Sequence, residues 1–154
     1  MDNLVSQFLK ESIEMELNVG DLYQLFSVKF PEDHDFWWEI SIEEMNHAAL
    51  IKSINDIFLD EGVFNGDILE RQIENLRKMN NFVKERITQY KIEVPMRKEA
   101  FLCSMELENS IGESHFEHFM TEDTNSVVVK IFQRLNGEDV NHAIRIENYM
   151  KSIT

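Results

Sequence analysis

Helix breakers are nearly absent from this chain of 154 residues, and nothing else in the sequence constrains the fold as strongly. Proline occurs only at Pro31 and Pro95, and the five glycines are Gly20, Gly62, Gly66, Gly112 and Gly137. These two residue types are the strongest local punctuation of a helix, so long stretches have nothing to end one. The first helix is expected from about Asn3 to Lys29, with Asp2 or Asn3 as N-cap and Pro31 beyond its end. A second starts near Asp33 to Asp35 and continues to about Leu59, before Gly62 and the Asn65-Gly66 pair. Leu69, Ile73, Leu76, Val83, Ile87 and Tyr90 recur at three- to four-residue steps or their sums, which marks a further amphipathic helix. Beyond Val94-Pro95, a fourth helix fits Arg97 to about Met120. A fifth fits Ser126 to Ile153, after the polar turn Glu122-Asp123-Thr124-Asn125. Only Val127-Val128-Val129 would suit a strand. The expected class is all-α.

Four of these helices have about 24–28 residues, hence lengths of roughly 36–42 Å. Helices of that size form four-helix bundles, and short turns after Lys29 and Met120 make two antiparallel hairpins, 3–59 and 97–153. The intervening segment 60–96 is too long for a hairpin loop and is expected to be a long, partly helical crossover between the second and third bundle helices. One domain spanning 1–154 accounts for the length.

With 29 acidic against 15 basic side chains, the net charge is −14. That opposes binding to nucleic acid, whose phosphates demand a basic face, and to an anionic membrane surface. A single cysteine, Cys103, excludes an internal disulfide, a Cys-only zinc site and a CxxC redox pair. The N-terminal stretch mixes acids into its apolar residues, unlike a signal peptide or a membrane span, so a cytoplasmic location is expected.

The acids are not all surface residues. On the second helix a stripe runs Trp37, Ile40, Glu44, His47, Ile51, Ile54, Phe58, in alternating steps of three and four. The last helix repeats it with Val128, Phe132, Leu135, Asp139, His142, Ile146, Tyr149 and Ile153. In each, a carboxylate and a histidine three residues apart interrupt an apolar seam. Among five histidines and 29 acids, about one such pair arises by chance. Here the two pairs share their context, Glu43-Glu44-Met45-Asn46-His47-Ala48 against Glu138-Asp139-Val140-Asn141-His142-Ala143. The first and fourth helices also answer each other, Glu16-Leu17-Asn18-Val19-Gly20-Asp21 against Glu108-Asn109-Ser110-Ile111-Gly112-Glu113. The chain reads as two copies of one hairpin, each giving a Glu and an acid-x-x-His.

Depth agrees. Glu16 and Glu44 each lie 14 residues from residue 30, where the first hairpin turns. Glu108 and Asp139 are equidistant from the middle of the second turn. Each pair therefore sits at one level, roughly 21–23 Å along its hairpin. Four buried carboxylates carry four negative charges, costly to bury without compensation, and two divalent cations cancel them. Oxygen and nitrogen donors without thiolate suit iron or manganese, or a mixed pair.

At these residues the sequence resembles the ferritin-like superfamily, and within it the rubrerythrin-type di-iron-carboxylate domain, over essentially the whole chain from Glu16 through His142. The resemblance implies a ferritin-like four-helix bundle holding two iron ions. Glu16 and Glu108 would be the more terminal ligands, Glu44 and Asp139 the bridging ones, and His47 and His142 would each cap one metal. Tyr23, seven residues after Glu16, matches a tyrosine that rubrerythrins place beside the site, poised to hydrogen-bond a bound oxygen species. Three positions depart from the pattern. Asp139 stands where the family has Glu, Ile111 stands where rubrerythrins carry a further Glu, and no CxxC pairs of a rubredoxin follow. An external electron donor and a small-molecule oxidant, hydrogen peroxide or dioxygen, are then expected as partners, and pairing as a homodimer is implied.

Competing assignments are weighed by phase. Glu11 and Glu14 lie near Glu16, and Glu106 competes with Glu108, which wins because Gly20 and Gly112 then align. Glu43 and Glu138 adjoin the ligands and are expected around them or facing solvent. His115 occupies the place corresponding to Tyr23, either as a donor beside the ligands, as an extra ligand, or as a core histidine; His34 and His118 are expected at the surface. Cys103 is off the seam, and Trp37 and Trp38 are expected as core or interface filler. The leading reading is an oxidoreductase acting on peroxide or dioxygen. The alternatives are a ferroxidase or iron-handling protein, with iron as substrate, and a metal-free helical interaction module.

Overall fold

The segment Phe26 to Asp33 shows how the sequence sets the architecture. Phe30 N–H still donates to Phe26 O at 2.9 Å, then Pro31, which lacks an N–H, opens a single 3-10 turn over Pro31–Asp33. The computed structural model describes residues 2–57, 66–116 and 125–153. Five α-helices follow in order: α1 (Asp2–Lys29), α2 (His34–Ile57), α3 (Gly66–Ile92), α4 (Arg97–Phe116) and α5 (Val127–Ile153). No strand occurs among the described residues. Residues 58–65 and 117–124, with Phe58, His118 and the end expected for the fourth helix, lie outside them.

Two N-termini are capped as their sequences allow. Met96 N–H is held by the Glu99 carboxylate at 2.9 Å, and Val129 N–H by Ser126 Oγ at 3.3 Å. The expected crossover helix is α3, and it lies along α1 rather than apart from it. Asn80 donates to Glu11 O at 3.0 Å and accepts from Asn18 at 2.9 Å; Arg77 reaches Glu11 and Gln7, and Lys84 reaches Glu14. Leu69, Ile73, Leu76 and Val83 supply its apolar contact with the core.

Helices α1 and α2 pack along their length as the first hairpin, and α4 packs along α5. Their direction follows from one network. Asp33, buried in the first turn, accepts Arg97 Nε at 2.6 Å from the start of α4, a second bond from Arg97 Nη2, and Tyr149 Oη at 2.9 Å from the end of α5. The start of α4 and the end of α5 therefore meet, and the pair is antiparallel.

Aromatic side chains fill this end of the molecule. Trp37 touches Tyr23, Phe26 and Phe101 at 5.4, 5.1 and 4.8 Å between ring centroids, and Phe36 stacks on Tyr149 at 4.1 Å. Near the other end Phe8 meets Phe132 at 5.6 Å. Between these plugs lies the polar level at which the carboxylates converge.

Candidate metal centre

Each seam that the sequence marks is buried. Trp37, Ile40, Ile51 and Ile54 enclose Glu44 and His47 on α2; Val128, Phe132, Leu135 and Ile146 enclose Asp139 and His142 on α5. Tyr149 and Ile153, at the far end of the α5 stripe, are only partly buried. Glu16 on α1 and Glu108 on α4 are buried too, whereas Glu106 is exposed and Glu11 and Glu14 turn to α3. Gly20 explains the tight fit of α1 on α2. A Cβ there would stand 3.3 Å from Ser41 O and 3.5 Å from Glu44 Cβ, so its absence lets the helices approach beside the ligand.

Glu44, His47, Asp139 and His142 each offer a ligand atom within 4.8 Å of one another. Glu44 lies between the two imidazoles, with Oε2 at 3.2 Å from His47 Nδ1 and Oε1 at 2.6 Å from His142 Nδ1. Glu16 Oε2 stands 3.6 Å from His47 Nδ1, and Glu108 Oε2 stands 3.7 Å from His142 Nδ1. Asp139 Oδ1 is 3.8 Å from His47 Nδ1. Each histidine thus faces the glutamate of its own hairpin, and Glu44 is shared. The rings lie nearly parallel, 5.3 Å apart.

The donor set tests the fit of a metal without reference to any relative. Both oxygens of Asp139, Oε1 of Glu44, Oε2 of Glu108 and Nδ1 of His142 are buried and make no hydrogen bond among the described residues. His142 Nδ1 is near Glu44 Oε1 but out of line for one. Buried acceptors are ordinarily paired, and carboxylate oxygens gathered at one level without a hydrogen bond could hold a metal ion. Hard oxygen donors and imidazole nitrogens suit a divalent transition metal.

Protons take up the charge when no cation does. Burial opposes a charged His47, but Glu16 and Glu44 outweigh it and push its pKa up to about 11. For His142 burial is likewise outweighed, by Glu108 and Glu44, and the value rises to about 12. Burial, then the charge on Glu108, raises Glu44 to about 8. Burial and the charges of Glu16, Glu108 and Glu44 lift Asp139 well above the ordinary carboxylate range.

The outward edges of both imidazoles are held as well. His47 Nε2 lies 2.8 Å from Glu138 Oε2, and His142 Nε2 lies 2.7 Å from Glu43 Oε2. A surface cleft of about 410 Å³ opens over these edges between α2 and α5, lined by Asn46, Asn141, Arg134 and Arg145 with the two glutamates. From α1, Tyr23 donates to Glu108 Oε1 at 2.5 Å, and burial followed by the Glu108 and Glu44 charges holds its phenol well above the usual pKa.

The structure thus brings together Glu16, Glu44, His47, Glu108, Asp139, His142 and Tyr23, with Glu43 and Glu138 behind the histidines. The side chains of His115 and Ile111 lie outside the described residues. His34 is exposed, Cys103 is partly buried, and Trp38 is 45% exposed with its ring stacked on His34 rather than buried in the core. Sequence reasoning missed Arg134 and Arg145, which grip Glu138 and Glu43. Only their spacing, four residues before Glu138 and three after His142, signalled them.

No protein-family model, no curated protein and no solved structure matches the chain. No helix among the described residues is long and apolar enough to cross a membrane.

Proposed function

We propose that α1, α2, α4 and α5 form a ferritin-like four-helix bundle around a di-iron carboxylate centre, and that the chain is an oxidoreductase acting on hydrogen peroxide or dioxygen. One observation carries this reading: four carboxylates and two inward-facing imidazole nitrogens meet at one buried level, where Asp139, Glu44 Oε1 and Glu108 Oε2 accept no hydrogen bond among the described residues. Glu16 and His47 would hold one ion, Glu108 and His142 the other, and Glu44 with Asp139 would serve both. Two ferrous ions, when bound, supply the two electrons that reduce peroxide to water.

The residues around them do the rest. Reduction of one peroxide to two waters consumes two electrons and two protons. The Tyr23 hydroxyl, already on Glu108, is a buried donor beside the site, and Glu43 and Glu138 keep the Nε2–H of each histidine occupied. The aromatic plug around Trp37 shields the centre from one end, which strengthens every charge interaction inside it. A reductant from outside the chain restores the electrons, and a homodimer in the cytoplasm belongs to the same proposal.

A second reading takes iron as substrate, and the net charge of −14 supports it by favouring approach of cations. Anaerobic loading with Fe(II), followed by peroxide or dioxygen in separate samples, tells them apart. The oxidoreductase reading expects two irons per chain retained through turnover and peroxide consumed faster than dioxygen. Release of oxidised iron with each cycle would replace it with the iron-handling reading.

A further inference from the structure

Glu43 and Glu138 are not on the seams, yet each does something its position in sequence does not announce. Glu43 precedes Glu44 on α2 but holds His142 on α5; Glu138 precedes Asp139 on α5 but holds His47 on α2. Each glutamate is itself gripped by an arginine, Glu43 Oε2 by Arg145 at 2.6 Å and Glu138 Oε1 by Arg134 at 2.8 Å. The arrangement is crossed and repeated, once from each helix.

We propose that Glu43 and Glu138 are positioning residues for a two-ion centre, and that their crossing couples its two halves. This rests on the metal-binding reading above. An imidazole has two nitrogen edges, and fixing one aims the other. With Nε2–H committed to a glutamate, Nδ1 of each ring is left as the edge that faces the carboxylates, the usual way an outlying carboxylate sets a metal-binding histidine. The crossing adds what a same-helix pair would lack. An ion bound by Glu44 and His47 orders the α2 segment 43–47, and with it Glu43, which aims His142 for the second ion. An ion bound by Asp139 and His142 orders 138–142, and with it Glu138, which aims His47. Such coupling is reciprocal, so it offsets part of the repulsion between two cations whichever binds first.

Long-range proton–nitrogen correlation spectra of the zinc-loaded protein test the crossing. Glu43→Ala should move the Nε2–H signal of His142, on the opposite helix, and leave that of His47, four residues along its own. Glu138→Ala should do the reverse. Glu39, which approaches Arg145 at 3.7 Å but no histidine, is the control, and Glu39→Ala should move neither. In calorimetric titrations with Mn(II), each glutamate-to-alanine change should weaken binding about 10- to 100-fold and lower the second ion's affinity relative to the first. Glu43→Gln and Glu138→Gln keep an acceptor oxygen and the side-chain volume, so they should recover most of the affinity and serve where alanine disturbs folding. If the wild-type protein takes up neither metal, the metal-binding reading itself fails. If it binds two ions but the variants shift the same-helix histidine, shift neither, or bind within twofold of wild type, the crossed coupling alone is overturned.

Discussion

Tyr23 on α1 and Glu108 on α4 are 85 residues apart in sequence and joined by a 2.5 Å hydrogen bond in the buried interior. The phenol is the one hydrogen-bond donor to Glu108 Oε1 among the described residues, and Glu108 Oε2 has none. The first hairpin thus fixes a carboxylate of the second. Tyr23→Phe removes the donor and leaves a buried acceptor unmet, which costs about 1–3 kcal/mol. Urea unfolding of the metal-free protein should show that loss. The metal-loaded protein should lose less, because the ion satisfies the same carboxylate.

Gly20 and Gly137 should respond oppositely to substitution. A Cβ at Gly137 meets nothing within 4 Å, so Gly137→Ala should gain up to about 1 kcal/mol from helix propensity. At Gly20 the same change is met by Ser41 O and Glu44 Cβ, and Gly20→Leu overpacks the α1–α2 contact by about 1–3 kcal/mol. Thermal melts of the two variants check the stabilities. The Gly20 variant should also bind metal more weakly, since it displaces Glu44.

Metal-free protein should lose stability as pH rises through neutrality. Glu44 goes from the ordinary 4.5 to about 8, His47 from 6.5 to about 11, and His142 from 6.5 to about 12. All three folded values are raised, so each contribution is complete below the ordinary value and is lost on rising through the folded one. Between pH 6.5 and 8 all three losses overlap. The apo melting temperature should therefore fall from pH 6 to pH 9, while metal, which displaces the same protons, binds more tightly over that range. Melts at several pH values with and without Mn(II) measure both. A flat apo profile would contradict the protonated pocket.

The Asp33–Arg97–Tyr149 network should matter to the fold and not to the site. Asp33 is buried but Arg97 is about a third exposed, so solvent screens the pair and the loss in Asp33→Asn lies near 1.5–3 kcal/mol, the range of a hydrogen bond to a charged group. Chemical denaturation should show it with metal affinity unchanged within about threefold.

Much of this was legible because a helix face has a period. The steps of three and four from Trp37 to Ile54 put Glu44 and His47 on the buried side, and the matching stripe on α5 did the same for Asp139 and His142. The alignment of Gly20 with Gly112 chose Glu108 over Glu106, and the structure buries the first and exposes the second. What the period does not carry is which helix stands beside which. The docking of α3 on α1 through Asn80 and Arg77, and the crossed pairing of Glu43 with His142, depend on partners tens of residues away. A residue just off the seam can face solvent or a neighbouring helix, and phase alone does not separate the two. Trp38 shows the same limit from the other side, apolar in sequence and half exposed in the fold.

Metal content decides the central claim most directly. Purified apo-protein titrated anaerobically with Fe(II), followed by elemental analysis after desalting and by thermal melts, should retain two ions per chain. The melting temperature should rise by about 5–10 °C at one hundred times the dissociation constant. The double variant Glu44→Ala/His142→Ala should retain none and melt identically with and without iron. Equal melting curves for the wild-type protein with and without Fe(II), and no retained iron, would contradict a metal centre at these residues.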